Sequence, residues 1–483
     1  MHSPPTASYA SIDDCPQPAA KTTTGTEQPP AMLALAFWLL GLLNNAAYII
    51  MIASAKTISE GGTALVFLAN VLPAMCVKLS APYWFDHVSY YHRILIAFWT
   101  MVLSFGMVAS GTSVGVQLLG VALCSVHTGL GESSLLAAAG KCDASGRCIG
   151  AFSSGTGLAG VFGFFWKFIW NEWMNLSMRT TLWLAQSLSL LYIYIYWKML
   201  HPYLKKSVKA ATPGAGELMP LEMNTFPPVS VAKTINGSMH ATEKTEVDSM
   251  DSSSGKLRDT SALRCRQPDD SALESPPEII VYQAPDVEEA PKPVSQWTTA
   301  ERSEFVVKQL WPYIIPLFVV YATEYSLQAG TWTAIGFPVE SQQARNEFYE
   351  YSNWMYQAGV FISRSSGAFG PAAPMSVLWI MPTLQALNVV FFAFVAADHV
   401  FYSYAMLLPC CFYVGLLGGG VYVHGYKRIC ADFDIVDRRE FALATTSVAE
   451  SFGIVCADVM GLFIQACLYQ SNDIAGAIVS CPI

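Results

Sequence analysis

Residues 31–54 read AMLALAFWLLGLLNNAAYIIMIAS, twenty-four residues without a single charge, in which Asn44 and Asn45 are the strongest polar interruption. A helix of this length spans ~36 Å, enough to cross the ~30 Å hydrocarbon core of a bilayer. A helix on the surface of a soluble domain would carry a polar stripe, and this one has none. The stretch therefore reads as a membrane span. Ten further apolar runs repeat it, at 62–82, 93–111, 114–139, 148–170 and 180–200, then at 310–336, 353–370, 377–397, 401–424 and 441–467. Arg364 and a string of serines and glycines make the run at 353–370 amphipathic.

Composition agrees with the runs. The 483 residues are 53% apolar and 13% charged, where a soluble domain carries ~25% charge. Residues 1–30 and 201–309 hold 19 of the 36 acids and 13 of the 27 bases. The rest is too poorly charged to make a soluble surface and suits lipid. The net charge of −9 comes with no basic stripe, which excludes nucleic acid as a partner.

The expected fold is an all-α polytopic membrane protein of about eleven transmembrane helices in a major-facilitator-like two-bundle arrangement. Four segments are expected: a disordered cytosolic tail at 1–30, a six-helix bundle at 31–200, a disordered cytosolic linker at 201–309, and a five-helix bundle with a luminal tail at 310–483. The linker is rich in Pro, Ser, Thr and mixed charge, with too few large apolar side chains to offset the entropy of ordering them. In such a layout the two bundles rock around a site near the midplane. No repeat between the halves is visible by eye, so the symmetry rests on the layout.

Orientation follows from the bases. No charged-then-apolar cleavable signal precedes the first span, which is expected to act as its own insertion signal and leave the N-terminus cytosolic. The connections on that side then carry Arg93, Lys141, Arg147, Lys427, Arg428, Arg438 and Arg439, against Lys56, Arg179 and Arg345 opposite; this is the positive-inside pattern. Asn175-Leu176-Ser177 is a glycosylation acceptor on the luminal side, whereas Asn236-Gly237-Ser238 falls in the cytosolic linker. Cys467 and Cys481 are available to pair in an oxidising lumen.

Polar groups inside spans mark the candidate site, because a charge at the bilayer centre costs ~2.5–3.5 kcal/mol on insertion scales. They are Asn44 and Asn45 in the first span, Lys78 in the second, and His127 and Glu132 in the fourth. In the seventh, Tyr321, Glu324 and Gln328 share a helical face. The eighth adds Arg364, and the eleventh carries Thr446, Glu450 and Asp458. Each has an ordinary alternative: amides bond neighbouring helices, a lone histidine satisfies itself in an interior, and Lys78 or Arg364 snorkels to a headgroup. Glu132 and Glu324 are costlier to hide. They are expected to face one water-filled cavity, where at least one takes up a proton during transport. The runs Ser153–Gly160 and Gly415–Gly420 let helix backbones approach closely.

Catalysis finds no support. The eight histidines are scattered, without a His-Glu-x-x-His stretch, a metal-binding His pair, a Gly-x-Ser-x-Gly elbow or a phosphate loop. No catalytic residue, metal or cofactor is expected.

Several stretches resemble one family. They are FWLLGLLNN at 37–45, Val77-Lys78-Leu79 with Ala81-Pro82, Gly129-Leu130-Gly131-Glu132 and Ser153-Ser154-Gly155-Thr156-Gly157. In the second half they are Val319-Val320-Tyr321 with Glu324-Tyr325, YQAGVF at 356–361 with Ser363-Arg364-Ser365-Ser366, GLLGG at 415–419, and Arg439-Glu440-Phe441-Ala442. In this order they resemble the battenin family of lysosomal membrane proteins, distant relatives of the major facilitator superfamily and of the equilibrative nucleoside transporters.

The resemblance implies a lysosomal or late-endosomal protein, N-terminus in the cytosol and C-terminus in the lumen, that clears glycerophosphodiesters. A phosphodiester anion with hydroxyls calls for a cation with amide and phenol partners. Lys78, His127 and Arg364 offer the charge; Asn44, Asn45, Gln328, Tyr356 and Gln357 offer the hydrogen bonds. The expected partners are thus a small polar or anionic solute, protons, the bilayer and sorting adaptors. Two features depart from the family. The chain ends Ser480-Cys481-Pro482-Ile483, which is no prenylation box. The dileucine signal is poorly matched by Glu278-Ile279-Ile280, leaving Tyr9-Ala10-Ser11-Ile12 as the sorting signal, with Tyr9 and Ile12 as its anchors. The competing function is a membrane scaffold regulating lysosomal trafficking and pH homeostasis, which needs only the linker, whereas a carrier needs its buried polar residues to converge.

Overall fold

The computed structural model describes residues 30–54, 63–210 and 292–482. The Tyr9–Ile12 signal, Lys56, the Asn236 sequon, Glu278–Ile280 and most of the expected linker lie outside the described residues. Eleven helical segments follow one another among the described residues, with no strand. The first six are α1 (Ala31–Ala53), α2 (Thr63–Trp84), α3 (Tyr90–Ser110), α4 (Val114–Cys142), α5 (Arg147–Trp173) and α6 (178–210). The last five are α7 (Thr299–Ala334), α8 (Gln342–Ser365), α9 (Met375–Asp398), α10 (Tyr404–Asp432) and α11 (Val436–Ser471). Eight of these, all but α2, α6 and α8, are long and apolar enough to cross a bilayer. The chain is an all-α polytopic membrane protein.

Local chemistry sets the helix starts. Ser177 accepts from the Thr180 N–H to open α6, Ser341 does the same for Ala344 in α8, and Thr298 with Glu301 forms a capping box at α7. Several helices run beyond the apolar stretch that revealed them. The seventh span was expected from 310 but its helix begins at Thr299, and the tenth continues to Asp432 rather than 424. Apolar content marks only the part of a helix inside hydrocarbon, and the polar turns outside it remain helical.

This also corrects the linker. The helix of α6 continues to residue 210, and the described residues from Lys292 onward pack against the helices. Val294 is buried, and the Trp297 ring lies 5.1 Å from Phe305 and 5.9 Å from Phe441. Arg302, also buried, bonds Asp86 at 2.7 Å and the Pro82 carbonyl at the end of α2. Aromatic burial thus orders the second margin of the segment at 201–309, and the continuing α6 helix orders the first.

Within the first half α1 packs on α5, and α4 on both α2 and α3; within the second, α8 packs on α10 and α7 on α11. The halves meet where α5 lies along α8 and α2 along α11. Outward faces carry Trp99, Leu103, Leu190, Leu387 and Phe394, all exposed, as lipid contact requires. The end where residues 210 and 292 leave and re-enter is called the linker end. At the opposite end Cys467 and Cys481 form a disulfide that ties the tail to α11.

Candidate functional site

A cavity of about 80 Å³ lies between the halves. The first half lines it with Asn45, Tyr48, Asn70, Lys78, Thr128 and Glu132, and the second with Tyr321, Tyr325, Tyr356, Gln357, Arg364 and Glu450. Helical spacing explains the convergence: 356, 360 and 364 form one face of α8, and 70, 74 and 78 one face of α2.

Two cations organise it. Lys78, 2% exposed, bonds Glu132 Oε2 at 2.8 Å and Glu450 Oε1 at 2.5 Å. Glu132 belongs to the same half as Lys78, and Glu450 to the other. The second oxygen of Glu132 accepts from the Tyr422 hydroxyl at 2.6 Å. Arg364, 9% exposed, donates to Thr156 Oγ1 at 2.7 Å and to the Tyr321 hydroxyl at 2.8 Å. Its guanidinium stands 3.9 Å over the Tyr422 ring. No ion pair among the described residues includes Arg364. The two cations differ in kind: Lys78 is held by two carboxylates, whereas Arg364 is held by hydroxyls and a π face.

The expected site residues divide. Asn45, Lys78, Glu132, Tyr356, Gln357 and Arg364 line the cavity; Asn44, His127, Glu324 and Gln328 do not. Asn45 donates to the Thr156 carbonyl at 3.1 Å, which joins α1 to the residue that holds Arg364. Asn44, one residue earlier and ~100° around the helix, turns to α4 and donates to the Thr128 carbonyl at 3.3 Å. His127 is fully buried, with Nδ1 2.9 Å from the Ala97 carbonyl and its ring edge-on to Tyr192. Five residues separate it from Glu132, about 140° of helix, so the two point to different neighbours. Gln328 donates back to the Glu324 carbonyl at 3.3 Å.

Glu324 corrects the expectation of a cavity shared with Glu132. Its Oε1 accepts from the Tyr356 hydroxyl at 3.0 Å, and its Oε2 lies against Gly418 without a hydrogen-bond donor. A Cβ at Gly418 would collide with that oxygen. Tyr321 and Tyr325 occupy the cavity edge of α7, and Glu324 falls behind Tyr356. Sequence reasoning saw Glu450 without choosing it and missed Tyr422 and Thr156 as partners of the charges. Thr156 lies in the Gly-rich run of α5, and Tyr422 follows the one in α10, so close packing and a polar role coincide there.

Polar contacts between the halves run from this centre to the linker end. Beyond the cavity residues, Ser133 bonds Ser447 at 3.0 Å, Ser154 bonds Ser365 at 2.9 Å, and Arg439 donates to the Gly140 carbonyl at 2.7 Å. Glu440 pairs with Lys141 at 3.2 Å and accepts from Tyr90, and Arg302 holds Asp86. The halves are stitched at the centre and the linker end. Among the described residues no group of three or more His, Cys, Asp or Glu is placed to hold a metal.

Comparison with known proteins gives consistent results. The backbone is similar to the crystal structure of the human organic anion transporter MFSD10 (TETRAN), with a TM-score of 0.52 at 12% identity over 92% of this chain and 98% of that one. That likeness concerns the fold alone. Protein btn-1 of Neurospora crassa is 30% identical over 441 residues, 89% of this chain and 87% of its own length. Protein BTN1 of Yarrowia lipolytica is 29% identical over 453 residues, 92% of this chain and 97% of its own. The profile of the CLN3 protein family matches residues 35–471. With eleven helices, the buried charges and both cavity faces inside that match, the chain belongs to the CLN3 protein family, the battenins.

Proposed function

We propose that this chain is a secondary carrier that exports small organic anions, glycerophosphodiesters in particular, across the lysosomal or late-endosomal membrane. One observation carries the reading: Arg364 is a buried cation at a cavity wall that, among the described residues, is bonded to Thr156 and Tyr321, stacked on Tyr422 and in no ion pair. A buried guanidinium that no carboxylate touches is a poor structural element, because no direct ion pair offsets the cost of dehydrating it. It becomes reasonable when the opposite charge arrives with a ligand. A phosphodiester presents two oxygens to a guanidinium fork. Asn45, Gln357, Tyr48 and Tyr325 then offer amide and phenol groups to its hydroxyls.

The cavity of about 80 Å³ is far below the ~300 Å³ of a small-ligand site. Loading therefore requires the halves to part. The contacts described above close the linker end in this conformer. The linker end is cytosolic in this reading. Arg93, Lys141, Arg147, Lys427, Arg438 and Arg439 gather there, and the Cys467–Cys481 disulfide belongs at the oxidising luminal end.

Purified protein in liposomes, given labelled glycerophosphoinositol on one side, should exchange it for unlabelled solute at a rate that saturates. Folded protein with no exchange above empty liposomes would overturn the carrier reading. Tagged protein that failed to co-fractionate with lysosomal membranes would overturn the location.

A further inference from the structure

The two cations and two carboxylates that line the cavity balance when it is empty: Lys78 and Arg364 against Glu132 and Glu450. This balance constrains what can cross. A monoanion arriving alone would leave one uncompensated negative charge among largely buried groups inside the bilayer, which is strongly unfavourable. The balance is restored if one proton arrives with it.

The geometry supplies a place for that proton. The carboxyl groups of Glu132 and Glu450 converge on one Lys78 ammonium, at 2.8 and 2.5 Å. Both oxygens of Glu132 are engaged, one by Lys78 and one by Tyr422. Among the described residues Glu450 has one hydrogen bond, from Lys78 to its Oε1. The groups around Glu450 are Lys78 from α2, Glu132 from α4, Tyr321, Glu324 and Tyr325 from α7, Arg364 from α8, and Tyr422 and Tyr426 from α10. Lys78 is the one cation among them that contacts Glu450.

We propose that the Glu132–Glu450 pair is a proton site and that the chain moves one proton together with each monoanion, in the same direction. Resting on the carrier reading, this adds its coupling ion. With the proton between the two carboxylates, the lining carries one net positive charge and accepts an anion; without it, the lining is neutral and does not. The states that cross are then empty without the proton and loaded with it, and both are neutral. The proton comes from the aqueous phase on the loading side and returns to water on the other, and no covalent bond other than O–H changes. Glu450 is the decisive partner because its pair with Lys78 joins the halves. Protonation of Glu450 weakens that link and frees an Nζ–H for the anion, so loading and parting of the halves become one event.

The test uses the full chain in liposomes and labelled glycerophosphoglycerol, a monoanion, in two modes. Exchange without a gradient reports the carrier; accumulation driven by a pH gradient reports the coupling. One proton per anion gives about tenfold accumulation per pH unit, a proton flux equal to the anion flux, and a rate insensitive to an imposed membrane potential. Glu450→Gln should lower exchange by less than tenfold and abolish pH-driven accumulation, whereas Glu324→Gln should keep accumulation at tenfold per pH unit. Wild-type exchange with no accumulation and no proton flux would overturn the coupling and leave the carrier standing. Accumulation lost in Glu324→Gln but kept in Glu450→Gln would move the proton site to α7 and overturn the assignment. Absence of exchange in the wild type would overturn the carrier reading itself.

Discussion

Replacing Arg364 by Gln tests the anion anchor directly. A monoanion 4 Å from one unit charge gains ~4 kcal/mol at an effective dielectric of ~20, and dehydration of both partners takes back much of it. A charge-assisted hydrogen bond retains a net ~1.5–3 kcal/mol. Losing one such bond should weaken the apparent affinity by ~10–150-fold. Arg364→Lys restores the charge but not the fork, since an ammonium cannot hold Thr156 and Tyr321 together from that position while stacking on Tyr422. It should fall between wild type and Gln. Exchange of labelled glycerophosphoinositol over a range of concentrations gives the affinities, with gel filtration and thermal melting confirming that each variant is folded. Folded Arg364→Gln protein with unchanged apparent affinity would refute the anchor, and with it the reason for calling the solute an anion.

Three further outcomes follow from the geometry. Asn175 is exposed in the turn between α5 and α6, at the end opposite the linker; Asn175→Gln should remove an endoglycosidase-sensitive mobility shift that Asn236→Gln leaves intact. Deletion of 215–291 should preserve exchange, because the chain re-enters the fold at Lys292, whereas a deletion through 302 removes Arg302 from Asp86 and should lower the melting temperature by several degrees. A Cβ at Gly160 of α5 would strike the Gln357 side chain of α8, so Gly160→Val should fold and reach the membrane but lose most exchange; full activity would show that the two helices need not stay this close.

The membrane fold was legible because the bilayer makes one demand on every span, a run of ~20 apolar residues, and residues 31–54 meet it without help from any other part of the chain. The candidate site was legible as chemistry but not as geometry. A charge inside a span announces itself by its cost, which is why Lys78, Glu132 and Arg364 stood out. Facing directions did not follow so easily. Asn44 and Asn45 are equivalent in the sequence, yet 100° of helix sends one into α4 and leaves the other on the cavity. Glu324 was grouped with Tyr321 by spacing, but the deciding feature is Gly418 on another helix, which leaves room for its carboxylate behind Tyr356. Tyr422 and Thr156 were not distinguished because a tyrosine or threonine in a span costs little by itself, and their importance comes from the charges they meet. The ends of the linker were missed for the opposite reason. A few aromatic contacts, Trp297 with Phe305 and Phe441, order a stretch whose average composition is polar.

The distribution of contacts between the halves also says where the energetic control lies. Lys141–Glu440 at the linker end is partly exposed, with side chains 24% and 22% accessible, and such pairs contribute ~0–1 kcal/mol. A gate of this kind can open and close at little cost. The Lys78–Glu450 pair is different, with side chains 3% and 6% accessible. Separation leaves Lys78 paired with Glu132 in its own half but takes from Glu450 the one cation it contacts, and stripping a buried charge of its partner costs ~3–5 kcal/mol. Parting at the centre is therefore least costly when Glu450 is neutralised, since Lys78 keeps its second carboxylate. Under the coupling proposed above a proton does this, and the pair that holds the empty site together becomes the point where the proton acts on the contacts between α2, α4 and α11.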